Sequence, residues 1–268
     1  MTRDERLAAL EQIATEVRAC TACRLAEGRT RAVPGEGDPD TEVVFVGEGP
    51  GFNEDRDGRP FVGRAGGLLV RMLGSIGWQR DDVFITNVVK CRPPDNRDPG
   101  PDEIAACAPF LRRQLEALDP SVVVTLGRYS MGTFMPGARI GQAHGTTTPA
   151  DPATGARDAL VFAMYHPAAA LRTQALEQVS FEDIARVPAV LITSRERRAA
   201  NAEAEAVDLL GGEPATTTPD ADAPAPAAAF ATSHVPAPAA QPAKASAPTL
   251  PVESPAPVAD DASQLTLF

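Results

Sequence analysis

Residues Glu42–Gly51 read EVVFVGEGPG: four large apolar residues, then three glycines and a proline within five positions. An unbroken β-branched and aromatic run of that length suits a strand buried on both faces, and such strands belong to parallel sheets covered by helices. The glycines beyond it let the backbone turn sharply and approach a ligand closely. Outward from this stretch the same pattern recurs. Val83–Val89 (VFITNVV), Ser121–Leu126 (SVVVTL) and Ala159–Met164 (ALVFAM) read as three further strands. Between them the apolar spacing turns helical: Leu7, Leu10, Ile13 and Val17 within residues 4–19, then Leu68, Leu69, Met72 and Ile76 within residues 65–76. Pro101 and Asp102 open a third helix that runs from Ile104 to Leu118, and a further helical segment follows His166. Strands separated by helices predict an α/β, three-layer α/β/α fold around a central, mostly parallel sheet. Ligands of such sheets bind beyond the carboxyl ends of the strands. The positions to inspect are therefore Gly47–Gly51, Asn87–Cys91, Gly127 onward and Tyr165–Pro167.

The chain has 268 residues and a formal net charge of −11. That charge is unevenly spread. Residues 203–268 hold nine Asp/Glu and one Lys, a net of −8, which leaves −3 for residues 1–202. The folded part is thus near neutral, with basic residues available for a polyanion. Residues 212–262 contain 11 Pro and 17 Ala. Such a segment buries too little apolar surface to offset the entropy of ordering it. Three parts are expected: a folded domain over 1–200, a disordered acidic Pro/Ala-rich linker over 201–262, and a terminal peptide over 263–268. No run of 18 apolar residues occurs, and the N-terminus (MTRDERLAAL) is charged. A cytoplasmic monomer with no membrane association is expected.

The four cysteines are Cys20, Cys23, Cys91 and Cys107. They are too few for a disulfide scaffold, and a disulfide is disfavoured in a reducing compartment. The Cys20-x2-Cys23 spacing serves a structural zinc and an iron–sulfur cluster equally well. Unrelated buried thiols are the third possibility, and spacing alone does not decide.

A longer set of motifs does. Gly47-Glu48-Gly49-Pro50-Gly51, Glu54-Asp55, Gly58-Arg59-Pro60-Phe61-Val62-Gly63, Ala65-Gly66, Thr86-Asn87, Lys90-Cys91-Arg92-Pro93-Pro94, Asn96 and His166-Pro167 follow in order. Across roughly residues 15–195 the chain resembles the family 4, iron–sulfur uracil-DNA glycosylases. The resemblance implies the uracil-glycosylase fold and a [4Fe–4S] cluster held by Cys20, Cys23, Cys91 and Cys107. It also implies excision of uracil from DNA without a redox step, the reaction that initiates base excision repair. The alternative is a non-catalytic damaged- or single-stranded-DNA-binding iron–sulfur or zinc protein of the same fold.

The reaction breaks the glycosidic bond of a base that must first be extruded from the stack. Negative charge develops on the leaving uracil and positive charge on the sugar. An Asn87 amide can donate to uracil O4 and accept from N3–H, whereas cytosine presents the reverse pattern. Phe61 offers a stacking face, Gly49 a close backbone approach, and Asn96 a further polar contact. An imidazole at His166 can donate to the developing oxyanion. Glu48 and Glu54 are the carboxylates that can orient water or balance the sugar cation. Leu171 and Arg172 are candidates for a wedge and a phosphate contact. Here the chain reads Ala168-Ala169-Ala170, where the family often has a serine and larger apolar residues.

The chain ends Ser263-Gln264-Leu265-Thr266-Leu267-Phe268. This peptide resembles the bacterial sliding-clamp-binding motif. Gln264, Leu265, Leu267 and Phe268 would be its contact residues and the linker its tether.

Overall fold

A computed structural model describes residues 1–209, with side chains through residue 206. The proposed linker beyond these and the peptide Gln264–Phe268 lie outside the described residues.

Six strands form one sheet: β1 (Glu36–Gly37), β2 (Val43–Gly47), β3 (Phe84–Asn87), β4 (Val122–Leu126), β5 (Thr147–Pro149) and β6 (Leu160–Met164). Their spatial order is β1-β3-β2-β4-β6-β5. The four inner strands are parallel, and the short edge strands β1 and β5 run antiparallel. The inner four are those expected from the apolar runs. The edge strands have only two and three residues and escape a pattern search, because neither carries an apolar alternation.

Among the described residues ten α-helices surround the sheet: α1 (Arg3–Ala19), α2 (Leu25–Gly28), α3 (Phe52–Asp57), α4 (Arg64–Ser75), α5 (Pro101–Leu118), α6 (Arg128–Phe134), α7 (Ile140–Ala143), α8 (Pro167–Ala170), α9 (Gln174–Ile184) and α10 (Val187–Leu209). The start of α1 is fixed by a capping box, in which Thr2 Oγ1 accepts from Glu5 N and Glu5 Oε2 accepts from Thr2 N. α10 continues past residue 200, where composition set the start of the linker; its polar, alanine-rich second half gives little apolar periodicity to read.

Alternate side chains of each strand feed two cores. Val44, Val46, Val123, Val161 and Ala163 pack with α1 and α5 on one face. Val43, Phe45, Val122, Val124, Phe162 and Met164 pack with Leu68, Leu69, Met72 and Leu73 of α4 on the other. Both faces are covered, which is why every strand residue of β2, β3, β4 and β6 is buried. The chain leaves β2 toward β3 on one side and later returns to β4 on the other, so the carboxyl end of β2 is the topological switch point. Gly47–Gly51 occupies it. No helix among the described residues is long and apolar enough to cross a membrane.

Candidate active site

Strand register brings the candidate site together. Gly47 pairs with Asn87 across β2 and β3. A Cβ on Gly47 would overlap Asn87 Oδ1 and stand 2.6 Å from Phe61 Cζ, so only glycine fits between them. The rings of Phe61 and His166 stack at a centroid distance of 5.6 Å. Gly47, Phe61, Asn87 and His166 therefore converge on one spot at the switch point. Asn87 is 1% exposed, and its Oδ1 is buried with no hydrogen-bond partner. A buried orphan acceptor of this kind costs about 1–3 kcal/mol, and this one lies across Gly47 from the edge of the Phe61 ring.

Phe61 is held in a left-handed conformation, φ 51°, which bulky residues rarely adopt. Clamps on both sides hold it there. Arg80 donates to the carbonyls of Pro60 and Phe61, and Arg80 is itself paired with Glu36 of β1. On the other side Glu54 Oε1 accepts from Val62 N at 2.9 Å and Gly63 N at 2.8 Å. Gly66 lets α4 approach, since a Cβ there would overlap the Phe61 carbonyl. Glu54 thus has one oxygen committed to bracing the Phe61 loop.

Glu48 lies half-buried beyond β2 and has no side-chain hydrogen bond among the described residues. Burial, reinforced by the nearby Asp98, pushes its carboxyl up to about 6. His166 caps α8, its Nδ1 accepting from Ala168 N at 3.1 Å. That bond leaves the proton of the neutral ring on Nε2. Burial pushes the imidazole down to about 4, so it is neutral at physiological pH. Gly127 (φ 91°) allows this packing, because a Cβ there would stand 2.8 Å from the Cβ of His166.

Four predicted positions lie outside this cluster. Asn96 is exposed on a 3-10 turn, its Oδ1 accepting from Arg92 Nε at 2.8 Å. Leu171 is half-buried and packs against the α4-side core, and Arg172 is exposed beside it. Gly49 faces the next loop, its Cβ position lying 2.7 Å from Val89 Cγ2.

The four cysteines line one cavity together with Val17, Arg29 and Phe110. All are free thiols. Donors point at their sulfurs: Arg29 Nη1 at 3.0 Å from Cys91 Sγ, Lys90 N at 3.2 Å from Cys107 Sγ, and Ala22 N at 3.5 Å from Cys20 Sγ. Such N–H···S bonds favour thiolates, yet at Cys107 burial outweighs the charge and the backbone N–H of Lys90 and pushes the thiol up to about 11. Among the described residues no three Cys, His, Asp or Glu side chains are grouped closely enough to hold a single metal ion. Four cysteine sulfurs around a shared cavity are the soft donor set that an iron–sulfur cluster takes.

The family model described as "Uracil DNA glycosylase superfamily" matches residues 34–186, which include the pocket and two of the four cysteines. The chain belongs to that superfamily. Within it the chain falls in the type-4 branch. It is 47% identical over 192 residues to a type-4 uracil-DNA glycosylase of Sulfurisphaera tokodaii, covering 69% of this chain and 86% of the relative. It is 45% identical over 185 residues to the type-4 enzyme of Thermotoga maritima, covering 68% and 93%. A type-5 uracil-DNA glycosylase of Thermus thermophilus is more distant, at 35% identity over 154 residues, covering 44% and 70%.

Two parts of this superfamily member were not legible from the residue types. Lys90 is fully buried, its Nζ donating to Thr86 Oγ1 at 2.7 Å, Asn87 O at 2.8 Å and Gln114 Oε1 at 2.7 Å. Gln114 in turn donates to Pro34 O at 2.7 Å. The second part is Glu103, buried on α5 four residues before Cys107. It accepts from Arg97, from Gly100 N, and from Arg24, the neighbour of Cys23. Both are charged residues in the interior, and a linear pattern gives no sign of partners 24 or 79 positions away.

Proposed function

We propose that this chain is a uracil-DNA glycosylase whose pocket holds an extruded deoxyuridine between Phe61, Asn87 and His166. The observation that carries the reading is the buried, unpartnered Asn87 Oδ1 beside the Phe61 ring. Uracil N3–H is the donor this acceptor lacks, and the Asn87 amide N–H is then free for O4. Cytosine has no proton at N3 and an amino group at C4, so it would meet the amide with the wrong polarity at both atoms.

With the base stacked on Phe61, the neutral His166 ring donates from Nε2 to the uracil oxygen that takes up charge as the glycosidic bond breaks. A preorganised donor aimed at developing charge is the kind of interaction that strengthens in the transition state. Glu48, ionised above about pH 6, offsets the sugar cation and orients the attacking water. Glu54 acts through the loop it braces, keeping Phe61 in its left-handed conformation. Cys20, Cys23, Cys91 and Cys107 would hold the [4Fe–4S] cluster. Through these four residues the group would tie the loop after α1 to the Asn87–Cys91 segment and to α5, a structural role rather than a redox one. The assembled pocket argues against a non-catalytic DNA-binding role.

The terminal peptide Gln264–Phe268 is proposed to bind the bacterial sliding clamp, with the Pro/Ala segment as tether. Gln264 would make polar contacts, while Leu265, Leu267 and Phe268 would enter an apolar groove.

The decisive experiment incubates the protein with a uracil-containing oligonucleotide and reads free uracil. Wild type is expected to release it. His166→Ala is expected to lose roughly 10²–10³-fold in kcat, the usual cost of one oxyanion donor. Asn87→Ala is expected to lose about 10–100-fold in kcat/KM from lost hydrogen bonds. No uracil release by cluster-loaded wild type, or full activity of both variants, overturns the reading.

A further inference from the structure

The pocket leaves one exposed aromatic unused. Phe52, the first residue of α3, follows the GEGPG loop directly and is 59% exposed. The Arg92 guanidinium carbon lies 5.3 Å from its ring centroid. Among the described residues the one side-chain partner of Arg92 is the neutral amide of Asn96. By contrast, Arg128, which stacks on Tyr129 at 4.7 Å, is paired with Asp98. The Phe52–Arg92 stack therefore carries an uncompensated positive charge. Its two loops meet beside the pocket: the Gly49 Cβ position is 2.7 Å from Val89 Cγ2 and 3.8 Å from Pro93 Cδ. One of these loops continues from Gly47 and the other from Asn87.

We propose that Phe52 and Arg92 form a stacking platform for the nucleobase adjacent to the extruded uridine on the same strand. The ring takes the base, and the guanidinium takes the phosphate that joins the two nucleotides. This rests on the pocket binding uridine as argued above. The chemistry is that of single-strand platforms, where an aromatic face accepts any base and a cation tracks the backbone. Aromatic, unpaired cation and pocket lie along two adjoining loops, and a flanking nucleotide is tethered to the uridine by a single phosphate. A protein partner would have no reason to need that cation beside the uracil pocket.

The test measures binding of single-stranded oligonucleotides carrying non-hydrolysable 2′-fluorodeoxyuridine. The nucleotides on either side are intact, or replaced by an abasic tetrahydrofuran on the 5′ side, the 3′ side or both. Wild type is expected to lose about tenfold in affinity when the platform's base is removed. Phe52→Ala is expected to lose the same on the intact strand and to be indifferent to the abasic flanks, and Phe52→Trp to restore both affinity and flank sensitivity. Arg92→Gln is expected to weaken every oligonucleotide and to lower the salt dependence by about one phosphate. Flank indifference in wild type overturns the proposal, and so does flank sensitivity in Phe52→Ala equal to wild type. Sensitivity found only for an abasic site opposite the uridine in a duplex assigns the platform to the other strand and likewise overturns it. Failure of wild type to release uracil from ordinary substrate would instead sink the pocket reading. Uracil release with flank-indifferent binding sinks the platform alone.

Discussion

Glu48 and His166 have had their proton affinities moved in opposite directions by the same cause, burial, and the pH profile follows from that. The Glu48 carboxyl is raised to about 6, so it loses its proton only as pH climbs through that value. The His166 imidazole is lowered to about 4, so it stays neutral across the working range. For a reaction that needs Glu48 ionised, kcat/KM should fall about tenfold per pH unit below 6 and level off above it. Glu48→Gln should be slow and should lack that limb. A wild-type profile flat down to pH 5 would remove Glu48 from this role. The residue scale is also where sequence reading was strongest. Asn87, Phe61 and His166 were singled out by motif, and the structure brings them to one spot with Gly47. What the motif could not convey is that Glu54 has one oxygen bound to two loop amides. Nor could it separate Asn96, which lies on an exposed turn, from the residues around the pocket. Both facts depend on backbone geometry that a string of letters does not carry.

At the scale of elements, the central strands and the long helices were legible because apolar period and caps agree there. The edge strands and the interior charges were not. Glu103 shows why. By type it is a surface residue on a helix, yet it is buried and joins the first turn of α5 to Arg24 and Arg97. Its hydrogen bond from Arg97, with those from Gly100 N and Arg24, outweighs its burial and holds its carboxyl at about 2. A folded-state value below the unfolded one stabilises the protein above the unfolded pKa and is lost as pH falls toward the folded value. The window here runs from about 4.5 down to about 2. The guanidinium groups are partly exposed, so screening leaves a contribution of about 2 kcal/mol at neutral pH. Glu103→Gln is expected to lower stability by that amount at pH 7 and to lose less than wild type on acidification to pH 3, read by thermal melts. It should also retain less iron per chain, because Arg24 neighbours Cys23. Equal melting and iron content in both proteins would refute the account.

The whole molecule divides by charge as well as by order of reading. Of the net charge of −11, −8 lies in residues 203–268, leaving a near-neutral folded part to approach a polyanion. Removing Gln264–Phe268 should abolish binding to the sliding clamp while leaving uracil release from short oligonucleotides unchanged. Unchanged clamp affinity in a pull-down or by surface plasmon resonance would exclude that peptide. On the proposal that this segment is a tether raising local concentration, the loss should appear on clamp-loaded DNA and not on free strands.

The segment from Asn87 to Cys91 bears one further implication. Its first residue carries the unpartnered amide oxygen, its last offers a sulfur, and the lysine between them is pinned at both its side chain and its backbone amide. That leaves the stretch no slack. One residue inserted there would have to displace either the Asn87 amide or the Cys91 sulfur, so the distance between the two along the chain is a fixed dimension of the fold.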